Sequence, residues 1–177
     1  MKIATGIAGL QVIGLLHEPA ETRVGARGRI RLALRELVAS TLQIDVARVA
    51  IESLPGHAPV LLVDGAPVPA GISLAHDGWI SVAAYHAQGA VGIDVMQVQV
   101  TSDWYDVARD YLGPAALALL AATSDELRAT AFARAWTARE ASLKCWGRGL
   151  IEWSEPSDRC RLATISVAQG YVATVAV

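Results

Sequence analysis

Ile72-Ser73-Leu74-Ala75-His76-Asp77-Gly78-Trp79-Ile80-Ser81-Val82-Ala83-Ala84-Tyr85 reads as a β-hairpin, with two β-rich runs around a turn at Gly78. Ile165-Ser166-Val167-Ala168-Gln169-Gly170-Tyr171-Val172-Ala173-Thr174-Val175-Ala176-Val177 aligns with it through a single gap and turns at Gly170. Working outward, each hairpin is preceded by a predicted helix. The first spans about Arg27 to Leu42, with Ile30, Leu34, Leu37, Val38 and Leu42 at helical spacing. The second spans about Leu127 to Trp146, with Phe132, Trp136, Leu143 and Trp146 on related faces. An opening strand precedes each helix, Ile7 to Leu16 and then Ala90 to Val95. The second half adds a helix from about Trp104 to Leu120, broken near Gly113-Pro114. The expectation is an α+β fold of two similar strand-helix-hairpin halves. It divides into subdomains 1–88 and 89–177, with a crossover at Ala87 to Gly89 and a ligand cleft at the seam.

The bulk composition limits what such a body does. Of the 177 residues, 53% are hydrophobic and 18% charged, which suits a packed core. A net charge of -2 gives no general attraction to nucleic acid or to an anionic membrane. Cys145 and Cys160 are too few for a disulfide framework or a zinc site and are expected to be reduced. Lys2 and the apolar run Ile3 to Leu16 resemble an export signal, but Gly6, Gly9, Gln11 and Gly14 interrupt it and no small-x-small cleavage site follows. No stretch of 18 apolar residues is free of charge, so no membrane span is expected, and the location expected is cytoplasmic.

Four groups of residues carry chemistry. Gly92-Ile93-Asp94 ends an apolar strand in a carboxylate whose hard oxygens suit Mg²⁺, although an ordinary turn aspartate reads the same way. Glu140 and Lys144 lie four apart on one helix face, one turn beyond Trp136. That pattern fits the lip of a site or a surface ion pair. Gly147-Arg148-Gly149-Leu150 follows, where glycine can end the helix. His76, expected in the hairpin turn, is either solvated or a donor to phosphate. Arg27, Arg31 and Arg35 share a face. Arg27, at the expected helix N-terminus, is the best placed for an anion, and Arg31 and Arg35 are expected to be solvated.

Leu74-Ala75-His76-Asp77, then Gly92-Ile93-Asp94, then Trp136-Thr137-Ala138-Arg139-Glu140-Ala141-Ser142-Leu143-Lys144 occur in that order. Together they resemble the 4'-phosphopantetheinyl transferase superfamily, whose blocks are a serine-histidine turn, G-[IV]-D and W-x-x-K-E-[AS]-x-x-K. Length and duplication resemble its larger, pseudo-dimeric (Sfp-type) branch, which implies halves related by a pseudo-twofold axis and a protein that works as a monomer. The resemblance implies transfer of 4'-phosphopantetheine from coenzyme A to a serine of an apo acyl or peptidyl carrier protein, releasing 3',5'-ADP with Mg²⁺ bound. Asp94 and Glu140 would then hold Mg²⁺. Glu140 would help activate the serine, and Lys144 would contact the diphosphate and steady the leaving group. Arg27, His57 and His76 would meet coenzyme A phosphates.

Four positions depart from that pattern. Ala75 stands for the usual serine, His57 for a lysine, Arg139 for a lysine, and Met96 for a frequent glutamate. Arg139 keeps the charge, but Ala75, His57 and Met96 keep open an alternative, a degenerate member that binds coenzyme A or a carrier without transfer. Met96 is a soft thioether and is not expected to ligate Mg²⁺. Strand alternation nevertheless puts it on the face of Asp94, with Val95 turned away.

Overall fold

Thr22 starts the first long helix: its side chain accepts a hydrogen bond from the Gly25 N–H at 3.1 Å. The helix therefore begins a full turn before the residue expected from sequence. The apolar stripe starts later than the cap and Gly25 and Gly28 obscure the first turns. This is seen in a computed structural model describing residues 1–18, 20–54, 57–155 and 160–177. In chain order the elements are β1 (Lys2–Ile3), β2 (Leu10–Leu16), α1 (Arg23–Leu42), β3 (Val49–Glu52), β4 (Val60–Val63), β5 (Ala66–Pro67), β6 (Gly71–Asp77), β7 (Ile80–His86), β8 (Gly92–Gln97), α2 (Trp104–Val107), α3 (Pro114–Ala122), α4 (Asp125–Cys145), β9 (Leu162–Ile165) and β10 (Tyr171–Ala176).

Two antiparallel sheets share one strand order. The first runs β1-β2-β7-β6 and the second β8-β10-β9. In each, the opening strand pairs with the second strand of the hairpin, and the first hairpin strand forms an edge. Alternation along the strands then sorts side chains between two layers. Val12, Ile80, Val82 and Ala84 of the first sheet meet Ile93, Val95, Ala173 and Val175 of the second in one shared core. On the outer face of the first sheet, Ile13, Ile72, Ala83 and Tyr85 pack against Ile30, Leu34, Leu37 and Val38 of α1. Helix α4 covers the other face of the second sheet, where Thr137 and Thr174 share a buried hydroxyl hydrogen bond at 2.9 Å.

The inner edges β6 and β8 are clasped by side chains. Ser73 Oγ accepts from the Ile93 N–H at 3.0 Å, and the Asp77 carboxylate accepts from the Gln97 N–H at 2.6 Å. Both ties join residues twenty apart in sequence, so the edges run parallel. Farther along, the Trp79 N–H donates to the Tyr171 hydroxyl at 3.3 Å.

Sequence reading missed a third sheet, β3-β4-β5, whose Val49 and Leu61 join the α1 core. The predicted break at Gly113-Pro114 is present: a π-helical turn over Ala108–Leu112 ends at Gly113 (φ 84°), and Pro114 opens α3. Among the described residues no helix is long and apolar enough to cross a membrane.

Candidate functional site

Gly92 sets the distance between β8 and α4. A Cβ there would fall 1.8 Å from the Ala141 carbonyl oxygen and 2.6 Å from the Cys145 nitrogen, so the helix backbone rests directly on the strand. Two residues on, Asp94 shares this helix-facing side, and Lys144 descends from the last turn of α4 to meet it. Its ammonium donates to Asp94 Oδ1 at 2.7 Å and to the Ile93 carbonyl at 3.1 Å. Asp94 is buried, and β8 continues past it to Gln97, so it is a mid-strand residue rather than the strand-ending one expected. Burial pushes its carboxyl up to about 6, outweighing the opposing pull of Lys144, and the Glu140 carboxylate adds to the rise. The partner of Lys144 is thus Asp94, whereas its helical spacing had pointed to Glu140. Val95 turns into the core between the sheets. Met96 shares the side of Asp94 but packs its thioether among the α2–α4 apolar residues.

Above this pair opens a cleft of about 440 Å³. Glu140, Lys144 and the 147–150 segment form one wall. Arg27 and Arg31 of α1, His57, and Ser73 and His76 of β6 form the other. Arg27, His57, His76, Glu140 and Lys144, five of the six residues singled out from sequence, therefore line one space, with Asp94 beneath Lys144. Arg27 sits one turn inside α1 rather than at its N-terminus, so it offers a guanidinium and no helix-end N–H.

His76 is a strand residue, half-buried, not a solvated turn residue. Its Nδ1 lies 2.6 Å from Ser81 Oγ. Burial pushes its pKa down to about 4, helped by Arg27, His17, Arg23 and Lys144, so the ring is neutral at neutral pH.

Arg31, expected to be solvated, lines the cleft and donates to Ser53 Oγ at 2.9 Å. Arg35 instead binds the Val49 and Val46 carbonyls at 2.7 and 3.1 Å and anchors that loop. Sequence reasoning did not assign Ser73 or Arg148 to the site. The Gly147-Gly149 frame around Arg148 was the available signal. Ala75, 5% exposed, faces the core between the sheets, so its methyl group leaves the cleft wall unchanged. Arg139 is half-buried behind Glu140, and its Nε has no hydrogen-bond partner within the described residues.

Chemically the cleft gathers arginine, lysine and histidine donors around one free-standing carboxylate, with a second carboxylate below. That set neutralises an extended polyanion and leaves a base beside it. Residues 90–175 match the sequence profile of the 4'-phosphopantetheinyl transferase superfamily. The chain is 26% identical over 137 residues to 4'-phosphopantetheinyl transferase HetI of Nostoc sp. (strain PCC 7120 / SAG 25.82 / UTEX 2576), covering 74% of this chain and 58% of that one. It is 28% identical over 121 residues to slr0495 of Synechocystis sp. (strain ATCC 27184 / PCC 6803 / Kazusa), whose name carries the same activity as a proposed one. That match covers 68% of this chain and 49% of the relative. The matched region thus spans about half the length of these curated relatives.

Proposed function

We propose that the chain is a member of the 4'-phosphopantetheinyl transferase superfamily, whose model its residues 90–175 match, and that it moves the 4'-phosphopantetheine arm of coenzyme A onto a serine of an apo acyl or peptidyl carrier protein. The observation that carries this reading is the cleft itself. There the acidic and basic residues of the third block, Glu140 and Lys144, face the early arginines and His76.

In this reading Arg27, Arg31, His57 and His76 hold the phosphates of coenzyme A from one wall. Lys144 leaves Asp94 for the diphosphate, where its charge steadies the departing 3',5'-ADP. Glu140 takes the proton of the carrier serine, directly or through a water. The serine oxygen then forms the new bond to phosphorus as the diphosphate bridge breaks.

The donor set fits a magnesium ion. Asp94 and Glu140 offer hard oxygens, and a cation, the Lys144 ammonium, already rests against Asp94. Bound there with coenzyme A, Mg²⁺ would draw charge from the diphosphate oxygens. Two carboxylates are few, so the remaining ligands would come from phosphate and water. The reading also takes 1–88 and 89–177 as subdomains related by a pseudo-twofold axis, with the site between them, in a monomeric cytoplasmic enzyme.

One observation favours a second reading. Lys144 neutralises the very carboxylate the metal would need, so the cleft could bind coenzyme A or a carrier without transfer. Incubation with coenzyme A, Mg²⁺ and a panel of apo carriers, followed by mass spectrometry, separates the two. The transferase reading expects a phosphopantetheine mass gain on at least one carrier. It also expects a loss of roughly 100- to 10,000-fold in Glu140→Gln, the usual span for a missing general base. Coenzyme A binding with no carrier modified would establish the second reading. Transfer by Glu140→Gln at the parental rate would remove Glu140 from the mechanism.

A further inference from the structure

Ser81 lies in β7, the strand between β2 and β6, and is fully buried. Two imidazoles converge on its single hydroxyl. His76 Nδ1 is 2.6 Å from Ser81 Oγ, and His17 Nε2, from the end of β2, is 2.5 Å from the same atom. The hydroxyl has one proton, so it can donate to only one ring, and the other ring must donate into its oxygen. The tautomers of the two histidines are therefore coupled through Ser81.

The two rings are exposed to different spaces in part. His76 lines both the main cleft and a neighbouring recess, and His17 lines only that recess, beside Glu21, Arg23 and Asp77. His17 is held in place by its backbone N–H, which donates to the Trp79 carbonyl at 2.8 Å. An imidazolium and one of the two neutral tautomers both carry a proton on Nε2, so two of the three forms of His17 donate to Ser81.

When His17 donates, the Ser81 proton turns to His76 Nδ1. A neutral His76 then carries its own proton on Nε2, the nitrogen left for a ligand. In the opposite arrangement Nε2 would present a lone pair to whatever anion Arg27, Arg31 and Lys144 attract, and the two would repel.

We infer that His17 is a positioning residue which, through Ser81, holds His76 in the tautomer that donates an N–H to an anionic oxygen in the cleft. Only the identity of that oxygen, a phosphate of coenzyme A, rests on the function proposed above.

Nitrogen-15 NMR of the imidazoles in the ligand-free protein tests the relay without reference to activity. The parent should show His76 protonated at Nε2. Both Ser81→Ala and His17→Phe should shift that ring toward a mixture, while His17→Gln, whose amide still donates, should keep the parental signal. His76 protonated at Nδ1 in the parent, or a tautomer unmoved in His17→Phe, would overturn the relay. If Ser81→Ala does not fold, the two His17 variants decide alone. Calorimetry with coenzyme A tests the last link. His17→Phe should weaken binding about tenfold, the effect of one charge-assisted hydrogen bond, with His17→Gln near parental. A shifted tautomer with unchanged affinity would leave the relay standing and remove the phosphate as its target. No coenzyme A binding by the parent would refute the proposed function while the NMR result still judges the relay.

Discussion

At the scale of single residues, Asp94 and His76 are two titrating groups displaced in opposite directions. Folded Asp94 takes up its proton at about 6 rather than at 3.8, so acidification from pH 6 toward 4 adds stability through this group. Folded His76 stays neutral down to about 4 whereas the unfolded chain protonates it at 6.5, so acidification over nearly the same window removes stability. The two slopes oppose each other. In metal-free buffer, His76→Gln should gain melting temperature relative to the parent between pH 6.5 and 4.5, and Asp94→Asn should lose it. Variants that track the parent throughout this window would contradict the assigned environments. Glu140, Lys144 and His76 were singled out because they fall in the ordered blocks that resemble the 4'-phosphopantetheinyl transferase superfamily; their spacing alone left a surface ion pair and a solvated histidine open. Arg31 was not. A guanidinium at i+4 from Arg27 looks the same whether it faces water or a cleft, and Ser53, which orients it, lies 22 residues away.

At the scale of elements, glycine decides how closely α4 approaches β8. Gly92→Ala would drive a methyl group into the Ala141 carbonyl, backbone against backbone, with no flexible side chain to give way. The expected cost is about 1–3 kcal/mol, read as a lowered melting temperature, with coenzyme A affinity falling as Asp94 shifts beneath the cleft. Gly28→Ala is the contrast. It lies exposed in α1 with nothing within 4 Å of its would-be Cβ, and should stabilise by up to about 1 kcal/mol. Equal melting temperatures for Gly92→Ala and the parent would show that the helix is free to lift. The helices and hairpins were readable because their apolar residues repeat with the right period. Sheet β3-β4-β5 went unread because its strands are only four, four and two residues long, too short for a period to emerge. Its one signal was Asp64-Gly65, both with positive φ, forming a two-residue hairpin turn after the apolar run Val60–Val63.

At the scale of the whole molecule, the repeated strand order was legible, because both hairpins carry similar β-rich runs around a glycine turn and each follows an opening strand and a helix. Of what surrounds it, α2 and α3 in the second half were legible as one interrupted helix, whereas β1 and the third sheet in the first half were not. One chain supplies both walls of the cleft, so light scattering should find a monomer whose activity per mole survives dilution. An obligate oligomer that loses activity on dilution would refute this. The shared core has a further consequence. Val12, Val82 and Ala84 share their core with Ile93, Val95, Ala173 and Val175, which lie beyond the turn at Ala87–Gly89. A chain severed in that turn should give two pieces, neither folded when alone, that regain structure when mixed. The protein would then serve as a split reporter, in which circular dichroism or carrier labelling appears only when both pieces are brought together.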